Sequence, residues 1–544
     1  MVVRILFLLV PIIVAAVPIS AEEPRPIAVV PRPAKMKIGN GEFVFKPKTV
    51  ILFGQDVRNE GEYLAEWLKW ATGLQFDLKP AAEKPSQAGA IVLRTDPDKK
   101  HLGAEGYQLR ILEDRVLVEA PTLAGVFYGC QTVLQLLPPV PANQEKTEGI
   151  EWTLPQLEIE DQPRFPWRGL MLDTGRCYYH PDWIKRYIDR LAYYKMNRFH
   201  WHLTERVGWR IEIKRYPELI RHGMHNTDAD KKPLPEGKTV REYYTQDEIR
   251  EIIAYARFRH VMVIPEIEMP GHSRLATETY PEMLACVDLN GRVPGHLVNR
   301  AFCAGNDKAY EFIDGVLSEV AELFPAPWIH VGGDEPLMQS WAVCSRCQTR
   351  IKTEKLGNVH GLYNYFIRRV EKIVQSKGKR LYGWEEVGGA GLSPGATIQS
   401  WHGTGPGLAA AGRGQDCVMS PASHCYLDQS YGRVSVARSY SFEPIPPDLP
   451  AGKARHILGV EGPMWMDAWR NWAQYRPRTG TLARVDHQVF PRLIALAEVG
   501  WSPKELRDWD DFKHRMSLHA GRLQRLHVNY YRDPAIWPPA AKGR

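Results

Sequence analysis

Trp328-Ile329-His330-Val331-Gly332-Gly333-Asp334-Glu335-Pro336 reads as a short buried strand that ends in two glycines and two adjacent carboxylates. Ile329 and Val331 supply the apolar alternation, and the glycines let the backbone leave the strand close to a ligand. Asp334 and Glu335 then stand at the strand's C-terminal end. Neighbouring carboxyls oppose each other's ionisation, so at least one is expected to titrate high and to remain a proton donor near neutral pH. Glycoside cleavage uses one acid and one anion. A solvated Asp-Glu pair in a loop is the plain alternative, and the surrounding sequence decides between the two.

Outward from this run, strand-like and helix-like segments alternate. Strand patterns fall at residues 169–174, 198–203, 260–267, 328–331, 380–384, 396–401, 417–420 and 455–460, and amphipathic helical patterns at 183–196, 247–258, 310–324 and 363–376. The crossover at 405–414 is short and poorly periodic. Eight strands with helical crossovers predict an α/β fold, a (β/α)8 TIM barrel over residues 162–505, with its active site at the strand C-termini. Residues 506–544 follow as a C-terminal helix and tail. Ahead of the barrel, residues 22–161 carry short strand patterns at 91–94, 107–112 and 115–120 and helical ones at 63–72 and 123–137. They predict a smaller α+β domain that assembles no reactive group. Asp161-Gln162-Pro163-Arg164-Phe165-Pro166 is the linker.

The chain has 544 residues, 44% of them hydrophobic, and a formal charge of +7 with no long basic run. That is enough for two domains and argues against nucleic acid as a partner. Arg4, an apolar run over 5–17 and Pro18-Ile19-Ser20-Ala21 predict a signal peptide, 1–21, cleaved after Ala21. The mature protein is then secreted, to the periplasm or the medium, without a stable membrane span; an uncleaved anchor is the alternative. Eight cysteines permit local bridges after export, Cys286 with Cys303 and Cys344 with Cys347. Cys344-Ser345-Arg346-Cys347 also has the spacing of half a zinc site. No second Cys or His pair follows at the matching distance, so no metal is expected. The sequence sets no oligomeric state.

If the barrel reading is right, polar and aromatic groups should cluster just after the strands. They do: His202 to Glu205 end the second strand, Glu266 to His272 the third, and Asp334 and Glu335 the fourth. Trp384 and Trp401 end the fifth and sixth, Tyr426 and Asp428 follow the seventh, and Trp465 and Asp467 the eighth. A pyranose stacks its apolar face on an aromatic ring and offers hydroxyls to charged groups. Taken singly, each tryptophan is more often a core residue, and Glu268 with His272 could be a structural ion pair. Their shared location favours a sugar pocket.

Pro163-Arg164-Phe165-Pro166-Trp167-Arg168-Gly169, His200-Trp201-His202-Leu203, Pro265-Glu266-Ile267-Glu268-Met269-Pro270-Gly271-His272 and His330-Val331-Gly332-Gly333-Asp334-Glu335 together resemble the β-N-acetylhexosaminidases of glycoside hydrolase family 20. Ala495-Leu496-Ala497-Glu498 and Trp501 extend the resemblance, which spans roughly residues 160–505. It implies exo-acting, substrate-assisted, retaining hydrolysis of terminal β-linked N-acetylglucosamine or N-acetylgalactosamine from a glycan, with no cofactor. It implies Glu335 as general acid and base and Asp334 as the group that orients the acetamido nitrogen. Arg168 would hold sugar hydroxyls, Trp384, Trp401 and Trp465 would wall the acetamido pocket, and Tyr426 would bond the acetamido oxygen. Asp428 and Asp467 would stand near the pocket and its hydroxyl contacts, with His272 and Glu268 supporting Glu335 from behind and Glu205 as a further supporting residue. Three positions depart from the family pattern. Thr204-Glu205-Arg206-Val207-Gly208-Trp209 replaces an Asp-rich stretch, Glu268 stands for a common Asp, and Asp467 for a common Glu.

A non-catalytic carbohydrate-binding protein on the same barrel is the competing reading, but it has no need of the Asp334-Glu335 pair with Tyr426. A glycosidase with an enzyme nucleophile would leave the adjacency of the two acids unexplained.

Overall fold

The computed structural model describes residues 26–81, 88–138, 150–225, 240–288, 301–447, 449–466 and 479–539; the expected signal peptide lies outside them. Seven strands form the N-terminal sheet: β1 (Lys35–Val44), β2 (Val50–Phe53), β3 (Asp77–Pro80), β4 (Ala90–Thr95), β5 (Tyr107–Ile111), β6 (Arg115–Ala120) and β7 (Thr153–Asp161). They are ordered β1-β7-β5-β6-β4-β2-β3. Two helices, α1 (Arg58–Thr72) and α2 (Leu123–Leu136), complete the unit. α2 is buried from Gly125 to Leu136, as expected of a helix that is apolar nearly all round. Its Tyr128 ring meets Trp501 of the second unit at 5.2 Å, and Gln135 donates to the Tyr193 carbonyl at 2.8 Å.

The second unit is a closed parallel barrel. Its strands run Trp167–Asp173, Arg198–His202, Met262–Glu266, Trp328–His330, Arg380–Trp384, Thr397–Ser400, Asp416–Met419 and Ile457–Met464, matching all eight expected positions. The eighth closes on the first with Gly459 opposite Trp167 and Met464 opposite Leu172. Helices Pro181–Tyr193, Gln246–Arg257, Asp307–Leu323 and Val359–Ser376 cover the outside. The weak 405–414 segment also forms a helix, Gly405–Gly412, short and rich in alanine.

Beneath the pocket, the barrel interior holds an ion-paired cluster in place of a wholly apolar core. His200 bridges Glu461 at 2.8 Å and Glu266 at 3.1 Å, and His330 meets Glu266 at 2.9 Å. Burial opposes the charge on Glu266, yet His202, His330 and His200 outweigh it and hold the carboxyl well below its usual range. Trp384 Nε1 donates to the same carboxylate at 2.9 Å. The cluster therefore fixes the ring that floors the pocket above it.

The two expected disulfides are not formed. Cys286, Cys303, Cys344 and Cys347 are free and buried. Cys303 Sγ instead lies 3.7 Å from both Cys344 and Cys347, neither of them its expected partner.

Candidate active site

The fourth barrel strand ends at His330, and the backbone then turns through Gly332 (φ 65°) and Gly333 (φ 95°). Space demands glycine as much as conformation does. A Cβ on Gly332 would stand 1.9 Å from Glu268 Oε1. Gly333 N–H donates to that same oxygen at 3.3 Å, and the Tyr363 hydroxyl donates to the Gly333 carbonyl at 2.7 Å. The turn delivers Asp334 and Glu335 to the barrel mouth. Glu335 itself sits at φ 44° and His272, facing it from the loop after the third strand, at φ 46°. Such left-handed backbone is uncommon for residues with a side chain and clusters at functional sites.

His272 joins the acids. Its Nε2 is 3.5 Å from Asp334 Oδ2 and 3.6 Å from Glu335 Oε2, while its Nδ1 is 2.9 Å from Glu205. Burial opposes charge on the imidazole, but Asp334, Glu205 and Glu335 overcome it and push His272 up to about 11. Charged His272 beside it holds Glu335 below its ordinary value. Glu268 moves the other way: burial first, then the Asp334 charge, raises it well above the carboxylate range. Glu268 Oε2 and Asp334 Oδ1 are both buried without a donor when both groups are counted as ionised. A proton kept on Glu268 gives the pair a donor.

Around these groups lies a cavity of about 300 Å³, lined by Arg176, His272, Asp334, Glu335, Trp384, Trp401, Tyr426, Asp428, Gln429 and Trp465. Trp384 and Trp465 have ring centroids 5.6 Å apart, and Trp401 stacks parallel to Tyr426 at 6.2 Å. Arg176 pairs with Asp173 at 2.8 Å and Glu205 at 3.1 Å, its guanidinium 5.2 Å from the Trp465 ring. The cavity thus offers aromatic faces, one guanidinium and a line of carboxyls, the chemistry that recognises a sugar.

The structure brings Asp334, Glu335, Trp384, Trp401, Tyr426, Asp428, Trp465 and His272 together at this cavity, with Glu205 and Glu268 directly behind it. Three expectations are corrected. Arg168 lies at the opposite, N-terminal end of its strand, fully buried, where it makes a two-pronged pair with Glu105 at 3.0 Å. Glu268 stands behind Asp334 and not behind Glu335, while His272 meets both acids and is itself oriented by Glu205. The raised carboxyl is not Glu335, whose side chain is 62% exposed and paired with His272; Glu268 is raised in its place. Asp467 lies outside the described residues. Sequence reasoning passed over Arg176, although the barrel rule points to it, three residues beyond the strand's C-terminal Asp173. It also passed over Gln429 and Glu386. Trp401 Nε1 donates to Glu386 at 3.3 Å, and burial with the Asp334 charge pushes this carboxyl up to about 7.

Residues 165–504 match the catalytic domain of glycosyl hydrolase family 20, and residues 26–162 match that family's domain 2. The chain belongs to glycosyl hydrolase family 20. This family-20 chain is 38% identical over 527 residues to a β-hexosaminidase of Porphyromonas gingivalis; the match covers 94% of the chain and 65% of the relative, so the chain spans just under two thirds of that protein. Among solved structures, Streptomyces plicatus N-acetyl-β-hexosaminidase in complex with Thio-NAglucal superposes with a TM-score of 0.79 at 32% identity, covering 95% of this chain and 99% of that one. A Vibrio harveyi exo-β-N-acetylglucosaminidase in complex with N-acetylglucosamine gives 0.79 at 29% identity, covering 95% and 81%.

Proposed function

We propose that the chain is an exo-acting β-N-acetylhexosaminidase that removes terminal β-linked N-acetylglucosamine or N-acetylgalactosamine by substrate-assisted hydrolysis with retention. The observation that carries the proposal is the adjacent pair Asp334 and Glu335 at a cavity of about 300 Å³ walled by Trp384, Trp401, Trp465 and Tyr426. That volume is at the small end for ligand pockets and suits a single terminal sugar.

The acetamido oxygen of the bound sugar attacks its own anomeric carbon as the bond to the leaving oxygen breaks. Asp334, with Glu268 behind it, accepts the acetamido N–H and stabilises the positive charge that develops there. Tyr426 donates to the acetamido oxygen. Glu335 protonates the leaving group and then takes a proton from the water that opens the oxazolinium ring. In the open pocket Glu335 is largely solvated; a sugar that covers it strips water away and favours its neutral form, the proton coming from solvent before the pocket closes. Arg176 takes the hydroxyl-holding role that the resemblance gave to Arg168.

Export to the periplasm or medium belongs to this reading and rests on the leader pattern of residues 1–21. A mature N-terminus at Glu22 in secreted material tests it. Among the described residues, no helix is long and apolar enough to cross a membrane.

The mechanism is tested with two probes. A thiazoline analogue of N-acetylglucosamine, which mimics the cyclised sugar, should inhibit competitively. A 2-fluoro sugar that traps enzyme nucleophiles should leave the intact mass of the protein unchanged. A covalent glycosyl adduct would overturn substrate assistance.

A further inference from the structure

The four cysteines that were expected to form two bridges arrive instead at one point. Cys286 and Cys303 come from the long connection after the third barrel strand, and Cys344 and Cys347 from the segment after the fourth. All four are buried, and their sulfurs lie within 4.8 Å of one another. From these observations we infer a structural zinc site, with Zn²⁺ held by the thiolates of Cys286, Cys303, Cys344 and Cys347.

Geometry separates this reading from disulfides. Four sulfurs at a Zn–S distance of ~2.3 Å stand at the corners of a tetrahedron whose edge is about 3.8 Å. Cys303 lies 3.7 Å from Cys344 and 3.7 Å from Cys347. A disulfide would require one of those distances to shrink to ~2.05 Å and would select one partner, whereas Cys303 is equidistant from both.

The surrounding backbone is built to hold the sulfurs there. Cys344 precedes helix Ser345–Thr353 and Cys347 lies in its first turn, where free N–H groups and the helix dipole favour negative charge. Cys303 N–H is tied to the Leu284 carbonyl at 2.8 Å, and Ser345 N–H to the Val287 carbonyl at 3.2 Å. Gly305 lets the two segments touch: a Cβ there would stand 2.4 Å from the Arg346 carbonyl carbon and 2.5 Å from the Cys347 nitrogen. The Cys344-Ser345-Arg346-Cys347 pair is half of a zinc site, and its other half precedes it in the chain. Binding releases the thiol protons to water and leaves a cluster of net charge −2.

Position gives the site its purpose. The connection holding Cys286 and Cys303 also carries His272, and the one holding Cys344 and Cys347 also carries Asp334 and Glu335. The two connections also meet at the acids, where a Cβ on Gly271 would stand 2.9 Å from the Asp334 carbonyl oxygen. A zinc ion at the cysteines clips them together at their far side, and so holds His272 against the acid pair.

Metal content of the purified full chain tests the proposal. Wild-type protein should carry about one zinc per chain, and Cys344→Ser/Cys347→Ser less than about a tenth of that. Stripping the wild type with a strong chelator should lower its melting temperature, Zn²⁺ should restore it and Mg²⁺ should not, and chelation should expose four thiols to alkylation. This second measurement stands even where the double variant fails to fold. Zinc-free protein with a mass lower by the hydrogens of two disulfides would overturn the proposal, as would zinc-free protein with four free thiols. Iron in the cage, recognised by visible absorption, would overturn the choice of metal. An unchanged melting temperature after complete removal of zinc would overturn the clip.

Discussion

Asp334 and Glu335 share the work of bond cleavage, so each is expected to be costly to replace. General acid help is worth ~10² to 10⁴ in rate, and a well-oriented internal nucleophile can supply roughly 7 to 11 kcal/mol of the barrier. Asp334→Asn and Glu335→Gln should each lower kcat by at least about a hundredfold while the circular dichroism and melting curve stay near wild type. Near-normal turnover by either would remove its assigned role. His272 gives a pH signature. Its folded value of about 11 exceeds the ~6.5 of an unfolded histidine, so the stability it contributes is complete below about pH 6.5 and is lost as pH rises toward 11. The stability gap between wild type and His272→Gln should therefore narrow with rising pH, measured as denaturant midpoints; a gap that widens would contradict the charged imidazole. At this scale the sequence was legible where a motif and the barrel rule agreed, as at Asp334, Trp384 and Tyr426. It misled at Arg168, because the motif that contains it runs through a strand's beginning, and the sugar is met only at strand ends. Titration was harder to foresee, since Glu335 and Glu268 differ by what faces them across two loops.

The turn after the fourth strand is the element that presents both acids. Gly332→Ala would force a left-handed backbone on alanine and drive a methyl into Glu268. A stability loss of about 1 to 3 kcal/mol is expected from denaturant melts, together with a lowered kcat, because Glu268 must move away from Asp334. A silent substitution would show that Glu268 does not need its present place. All eight barrel strands were legible because each is a short apolar run bounded by turn residues. Within the N-terminal sheet four strands went unread: β2 is buried throughout but only four residues long, β7 is interrupted by Pro155 and carries polar residues along its length, β1 is exposed over most of its length, and β3 is a four-residue edge. Neither β1 nor β3 carries the apolar signature that marks a buried strand. The cysteine cluster escaped for another reason. Its halves are adjacent only after the third and fourth connections have folded against each other.

The whole molecule is held together on the side of the barrel away from the pocket. Glu105 of the N-terminal unit receives both prongs of Arg168 and the Asn197 amide at 2.8 Å, while Lys195 pairs with Asp161 at 3.1 Å. Leaving a buried charge unpaired typically costs ~3 to 5 kcal/mol. Arg168→Ala should therefore lower the denaturant midpoint by a corresponding amount with KM unchanged, whereas Arg176→Ala should raise KM; the reverse pattern would return Arg168 to the sugar. The N-terminal unit thus braces the barrel floor, the ion-paired cluster in the barrel fixes Trp384, and the mouth is left to do the chemistry. That chemistry rests on the substrate's own acetamido group. The most direct test compares release of p-nitrophenol from the β-N-acetylglucosaminide with release from the plain β-glucoside, which lacks that group. Hydrolysis of the first and not of the second is the predicted result, and comparable hydrolysis of both would contradict substrate assistance.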